Sequence, residues 1–270
     1  MKQDILIGCV ADDFTGASDA ASFLMSKGMK TILFNGKPDG EIPPCQAVVI
    51  ALKSRTQETK SAVADSMAAF TWLKEQGAQH LYFKYCSTFD STKEGNIGPV
   101  VDAMLETFGE KYTILCPALP VNKRTVENGI LYVDGVPLSE THMKNHPLTP
   151  MWESEIAKLM DPQGKYQTLN VNTELLTKSK EEILTVVDEF GKDKEHFYIV
   201  PDYVNDENGT KIAEVFGDLT VLTGGSGILA PLAAKYQQTQ AAKDSMTNGV
   251  DGKRHRFGWQ LLQSNIGTDR

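Results

Sequence analysis

The chain has 270 residues, 41% of them hydrophobic and 23% charged, and 35 acidic against 27 basic side chains give a formal net charge of -8. That length builds one large or two modest domains with a substantial core, while the acidic balance argues against nonspecific nucleic-acid binding and against an anionic membrane surface. The N-terminal MKQD lacks a leader-like apolar block and no stretch reaches membrane-spanning length, so a cytoplasmic location is the expectation.

Ile5 to Ala11 is an unbroken apolar run of the kind buried on both faces of a parallel sheet. It ends in Asp12 and Asp13 with no spacer. Phe14, Thr15 and Gly16 follow, and a helix-forming series rises from Ala17. In open α/β sheets ligands sit beyond the carboxyl ends of strands, against the helix N-termini that follow. A helix cap at Asp13 or Thr15 is the simpler alternative, but it explains one carboxylate and not an adjacent pair.

Alternation continues along the chain. Strands are expected at Lys30 to Asn35, Ala47 to Leu52, Leu81 to Lys84 and Tyr112 to Pro117, with helices at Glu58 to Glu75 and Pro99 to Phe108. Asp134-Gly135 between apolar flanks predicts a β-hairpin within Ile130 to Leu138. An irregular or helical insertion follows from Ser139 to Lys165. The α/β rhythm resumes with strands at Thr168 to Val171, Phe197 to Val200 and Thr220 to Gly227, and with helices at Lys180 to Phe190 and near Gly209 to Phe216. The fold class is therefore α/β: a Rossmann-like three-layer open sheet, mostly parallel, with a β-hairpin and helical insertion around 120–165.

Several strand ends share one character, turning from apolar to small, hydroxylated or charged. Besides Asp12 and Asp13 these are Lys53 to Thr56, Lys84 to Thr92, Cys116 to Ala118 and Thr223 to Gly227. Together they would ring a pocket at the carboxyl edge of the sheet. Arg55, with Lys53 or Lys84, suits a carboxylate. Asp12, Thr15, Ser87, Asp90 and Ser91 suit the hydroxyls of a polyol. Gly224, Gly225, Ser226 and Gly227, opening a helix at Ile228, read equally as an anion-binding turn or a tight structural turn.

Other chemistries lack their signatures. There is no GxxxxGK[ST], no GxGxxG after the first strand and no GxSxG, and the two aspartates lack the single-residue spacing of haloacid-dehalogenase-type phosphatases. His142 and His146 stand four apart, but Pro147 follows directly and argues against a helix that presents both, so no metal site is expected. Cys9, Cys45, Cys86 and Cys116 lie in or beside apolar runs without CxxC pairing, and read as reduced, mostly buried thiols.

The strings VADDFTGASD, ALKSRT, FKYCSTFDST with GNIGPV, CPALPVNKRTV, the GxLYVxGxPL hairpin, HMKNHPLTPM and LTGGSG, in this order, resemble the four-carbon acid sugar kinase family, the 3-oxo-tetronate kinases above all. Lys123 stands where that family usually has Gly. The resemblance covers Met1 to about Tyr236, and it implies ATP-dependent phosphorylation of a four-carbon sugar acid, 3-oxo-tetronate to its 4-phosphate. Its N-terminal domain would bind the acid and a C-terminal domain ATP with Mg2+. Matched onto this chain, the substrate-side positions would be Asp12, Asp13, Thr15, Lys53, Arg55, Lys84, Ser87, Asp90 and Ser91, with Asp12 or Asp13 as the base and Gly224 to Gly227 on the phosphate side. Small-molecule sugar acid is the implied partner, and a homo-oligomer is compatible with the sequence.

Residues 237–270 do not continue the resemblance. Permitted codons for Arg254 to Asp269, read one base later, spell GIVLAGSCSKATLEQ, a buried strand running into the family's nucleotide-domain turn. The expectation is a one-base frameshift upstream of Arg254 that removes the nucleotide domain. That leaves two readings, a sugar-acid kinase by family and a sugar-acid-binding polypeptide that binds neither ATP nor Mg2+. A metal-dependent hydrolase using the Asp12/Asp13 pair is a third.

Overall fold

The computed structural model describes residues 4–38 and 40–248. The chain divides after Gln237. From residue 238 the described part of the second unit continues the last helix as far as Asn248, and the stretch from Arg254 onward that carries the frameshift expectation lies outside the described residues.

The first unit is built on an eight-stranded sheet of β1 (Ile7–Ala11), β2 (Thr31–Asn35), β3 (Ala47–Ala51), β4 (His80–Lys84), β5 (Tyr112–Cys116), β9 (Thr168–Val171), β10 (Phe197–Pro201) and β11 (Val221–Gly224). The order is β2-β3-β1-β4-β11-β5-β10-β9, and every pair is parallel. Strands β1, β3 and β10 are buried at all five positions, which is why they read as continuous apolar runs. Helix α1 (Phe14–Ser26) packs on β2 and β3, whereas α2 (Thr59–Gln76) and α3 (Ile97–Phe108) pack together over β1, β4 and β11. The chain leaves β1 toward β2 and β3, then returns across it to β4. The crevice between β1 and β4 is thus a topological switch point. The last strand, β11, does not join an edge; it inserts between β4 and β5.

Gly8 lets β1 approach α2: a Cβ there would lie 3.1 Å from Leu73 Cβ and Ala78 Cβ. Helix ends follow the expected chemistry. Asp13 caps α1, Glu58 caps α2, and Ser179 with Glu182 forms a capping box for α6 (Lys180–Phe190). Helix α7 (Asp206–Phe216) starts three residues earlier than its apolar pattern indicates, because Asn205 accepts the Asn208 N–H at 3.0 Å. Its Gly209 is a packing residue, since a Cβ there would meet Tyr203 Oη at 2.5 Å.

The insertion carries more strand than the hairpin signal alone shows. β6 (Arg124–Glu127), β7 (Ile130–Val133) and β8 (Val136–Pro137) form an antiparallel sheet. Both turns hold two successive residues at positive φ, Asn128-Gly129 at 51° and 73° and Asp134-Gly135 at 52° and 78°. Lys123 also sits at φ 54°, which accounts physically for a Gly preference at that position. Short 3-10 turns at Leu138–Glu140 and His142–Asn145 and helix α4 (Ile156–Met160) complete the insertion. His142 and His146 therefore do not share an α-helix, and His146 Nδ1 accepts from Thr149 N at 3.0 Å. A fully buried carboxylate, Asp202, ties the insertion to the main sheet. It accepts from Asn128 N at 2.8 Å, Gly129 N at 3.0 Å, Asn170 Nδ2 at 3.0 Å, Thr173 N at 2.9 Å and Thr173 Oγ1 at 3.1 Å. The short helix α5 (Thr173–Leu176) begins there, and α8 (Leu229–Asn248) follows β11.

Candidate functional site

β1 ends at Ala11 in register with Lys84 of β4 and Ala51 of β3, so the residues just beyond these strands meet at one edge. Backbone bonds lock the meeting, with Asp12 N donating to Lys84 O at 3.0 Å and Arg55 N to Asp12 O at 3.3 Å. Arg55 then lays its guanidinium along Asp12, Nε to Oδ2 at 2.9 Å and Nη2 to Oδ1 at 2.8 Å. The same Nη2 lies 3.0 Å from Asp13 Oδ1, and Nη1 is 3.8 Å from Asp90 Oδ2. One cation is thus shared by three carboxylates, one of them held in the bidentate fork geometry that Arg favours.

The two adjacent aspartates differ. The Asp12 side chain is 4% exposed and has both oxygens on Arg55. Burial pushes its carboxyl above the ordinary carboxylate range, against the hydrogen bonds and charge of Arg55 and the charge of Lys84, which pull it down. The Asp13 side chain is 32% exposed. Its Oδ1 accepts from Gly16 N at 2.9 Å, so the cap reading and the Arg55 contact are both present in one residue. Gly16 is required here: a Cβ would sit 2.4 Å from Asp13 Oδ1 and 2.9 Å from Lys84 Nζ. Lys84 itself is buried and donates to Tyr85 O at 2.9 Å.

Asp90 reaches the cluster on a loop with Phe89 at φ 50°, an unusual conformation for a bulky residue, held by packing of the buried ring edge-on to Tyr85. Thr88 Oγ1 donates to Asp90 Oδ1 at 2.5 Å. Ser91 is buried and donates to Gln163 Oε1 at 3.1 Å. Asp12, Arg55, Asp90 and Ser91 line one cavity together with Ser54 and Asn96. Thr15 and Lys53 are exposed and Ser87 is half-buried, and none of the three joins this hydrogen-bonded cluster. The turn Gly224 to Gly227 lies at the neighbouring strand end and is buried throughout. Its glycines are set by backbone approach: Cβ atoms at Gly224, Gly225 and Gly227 would lie 2.3, 2.4 and 2.3 Å from the carbonyl oxygens of Cys116, Pro117 and Ala118. Ser226 Oγ donates to Asp19 Oδ2 at 2.9 Å.

Asn96 escaped the sequence reading, and Ser54 and Thr88 stood inside the strand-end turns it named without being singled out. Asn96 stands where a helix cap is expected, yet its side chain makes no cap; Nδ2 donates across to Ser54 O at 2.7 Å and Gln57 O at 2.9 Å, fixing the loop that carries Arg55. Ser54 and Thr88 flank residues that were singled out, and only the loop geometry separates them from Lys53 and Ser87.

The pattern of a sugar-binding N-terminal domain family matches residues 7–232. The chain belongs to this family. Its similarity extends to a 3-oxo-tetronate kinase of Brucella melitensis, 43% identical over 236 residues, covering 87% of this chain and 54% of that protein. The crystal structure of a Haemophilus influenzae protein superposes with a TM-score of 0.82 at 45% identity, covering 86% of this chain and 56% of the other. A Bordetella bronchiseptica domain of unknown function, solved with bound citrate as a domain-swapped dimer, gives a TM-score of 0.73 at 28% identity over 88% and 58% of the two chains. The chain spans a little over half the length of each.

Proposed function

We propose that residues 1–236 hold a four-carbon sugar acid at the carboxyl edge of the sheet, as the acid-binding part of an ATP-dependent 3-oxo-tetronate kinase. The observation that supports this best is the gathering of Arg55, Lys84, Asp12, Asp13 and Asp90 around one switch-point crevice. Arg55 and Lys84 supply the positive field for a carboxylate, and Asp90 and Ser91 supply partners for hydroxyls. Of the two candidate bases, Asp13 is the one open to solvent, so it takes the hydroxyl proton, while Asp12 holds Arg55 in place. Thr15, Lys53 and Ser87, outside the hydrogen-bonded cluster, are secondary contacts in this reading.

The glycines of the buried Gly224 to Gly227 turn are accounted for by close backbone approach, and no step is assigned to the turn. ATP and Mg2+ belong, in this reading, to the length of the relatives beyond the matched stretch. In this reading the matched stretch binds the acid and does not itself turn ATP over. The four free thiols, three of them buried, suit a reducing cytoplasm, and a homo-oligomer fits the dimeric Bordetella neighbour.

Titration calorimetry with L-threonate and D-erythronate, beside an ADP-release assay, tests this. Binding without ADP is the expected result. No heat with either acid, in a folded protein, would sink the sugar-acid reading, and ADP release would overturn the placement of ATP.

A further inference from the structure

Two residues that line the cavity beside Arg55 each carry a side-chain atom without a partner. Ser54, 1% exposed, and Asn96, 6% exposed, both line it, and Ser54 Oγ and Asn96 Oδ1 are buried without a hydrogen bond. Folded proteins pair nearly all such atoms. The other unpaired buried side-chain atoms among the described residues, in Ser66, Arg124 and Thr168, are scattered through the chain, whereas these two share one cavity beside Asp12 and Asp90. The amide orientation of Asn96 is not arbitrary. Its Nδ2 already serves the carbonyls of Ser54 and Gln57, so Oδ1 is the end left over, and it can only accept.

We propose that Ser54 and Asn96 read the internal oxygens of the bound acid. This rests on the sugar-acid reading above and assigns its specificity to residues outside the charged cluster. Asn96 Oδ1 takes the proton of an internal hydroxyl and disfavours a carboxylate or keto oxygen at that place. Ser54 Oγ can donate or accept, so it pairs with either a hydroxyl or the carbonyl of an oxidised carbon. The ligand class is therefore a short acid with at least one free internal hydroxyl, the neighbouring carbon carrying a hydroxyl or an oxo group. The cavity in this arrangement leaves no space the size of a water molecule. Entry therefore opens the Asp90 contact first, the longest at 3.8 Å, while Arg55 stays on Asp12.

Ser54→Ala is a clean test because the hydroxyl it removes has no partner in the free protein. The full chain and the variant are compared by calorimetry with L-threonate, D-erythronate and 4-hydroxybutyrate, which lacks both internal hydroxyls, and by thermal melting. The variant is expected to melt at the wild-type temperature or slightly above it, to bind the better tetronate about tenfold more weakly, the loss of one buried hydrogen bond, and to bind 4-hydroxybutyrate unchanged. Tetronate binding equal to wild type, or an equal loss for both ligand types, would overturn the proposal while leaving the sugar-acid reading in place. A lowered melting temperature would also overturn it, because the hydroxyl would then be paired in the free protein. If the wild-type chain binds no tetronate at all, the sugar-acid reading fails first and takes this one with it.

Discussion

Arg55→Met keeps the side chain's length and removes the charge from the centre of the site. It leaves Asp12 buried with neither of its two oxygen partners, and Asp13 and Asp90 without a shared cation. Breaking a buried pair from one side costs about 3–5 kcal/mol. Proton uptake sets a ceiling on the charge part of that cost. An Asp with an unfolded value near 3.9 can be neutralised at pH 7 for at most about 4.2 kcal/mol, and at pH 5 for about 1.5 kcal/mol, at 1.36 kcal/mol per pH unit. The sign follows from burial, which already raises the Asp12 carboxyl and loses its main counterweight when Arg55 goes. A carboxyl raised in the folded state holds its proton longer than the unfolded chain does, so stability falls as pH climbs from the unfolded value through the folded one. The variant should therefore lose about 3–4 kcal/mol at pH 7 and less than half of that at pH 5. Urea unfolding of both proteins at pH 5, 6 and 7 reads this directly. A loss of the same size at all three values would refute the argument, since it would then come from packing and not from a stranded carboxylate.

Gly16→Ala should separate binding from stability. Displacing the Asp13 cap costs about 1 kcal/mol, and Ala in place of Gly inside α1 returns about as much, so the melting temperature holds while tetronate affinity falls; calorimetry showing unchanged affinity would count against Asp13 and Lys84 as binding groups. Asp202→Ala strands the N–H groups of Asn128, Gly129 and Thr173 and should cost about 3–5 kcal/mol in urea unfolding. Lys123→Gly should stabilise by about 0.5–1 kcal/mol, relief of the left-handed backbone less the extra freedom of the unfolded chain. The exposed Lys123–Asp134 ion pair at 3.5 Å takes little away from that gain; a lower midpoint would contradict it.

The main-sheet strands were legible because a parallel strand covered on both faces cannot alternate, and runs such as Ile5 to Ala11 and Ala47 to Leu52 say so directly. Strand order was not, since nothing local in Val221–Gly224 reveals that it slides between β4 and β5. β6 was missed because Arg124–Glu127 is half-polar and only one of its four residues is buried, although Asn128-Gly129 carries the same turn chemistry as the Asp134-Gly135 pair. At the candidate site, polar residues past apolar strands pick out turns that meet at one sheet edge and bring Asp12, Asp13, Arg55, Lys84, Asp90 and Ser91 to notice. Within a turn they do not say which side chain points inward. Ser54 in place of Lys53, and Thr88 in place of Ser87, depend on loop paths fixed from elsewhere, in the first case by Asn96 across the sheet edge.

The charged cluster also limits how an acid could enter. The Asp12–Arg55 pair is buried, bidentate and braced by backbone bonds on both residues, so separating it costs several kcal/mol. The Asp90–Arg55 contact, a single one at 3.8 Å against 2.8 and 2.9 Å in the Asp12 fork, is the weaker of the two. Asp90 Oδ1 keeps the Thr88 hydroxyl when the contact opens, and Oδ2, which faced Arg55 Nη1, is the oxygen left to take a hydroxyl proton from the acid. On the proposed reading an incoming carboxylate replaces Asp90 at Nη1 and leaves the Asp12 fork intact, with Ser54 and Asn96 in the same cavity for its internal oxygens. The bidentate pair is then a fixed support, and the longest contact in the cluster is the one that exchanges.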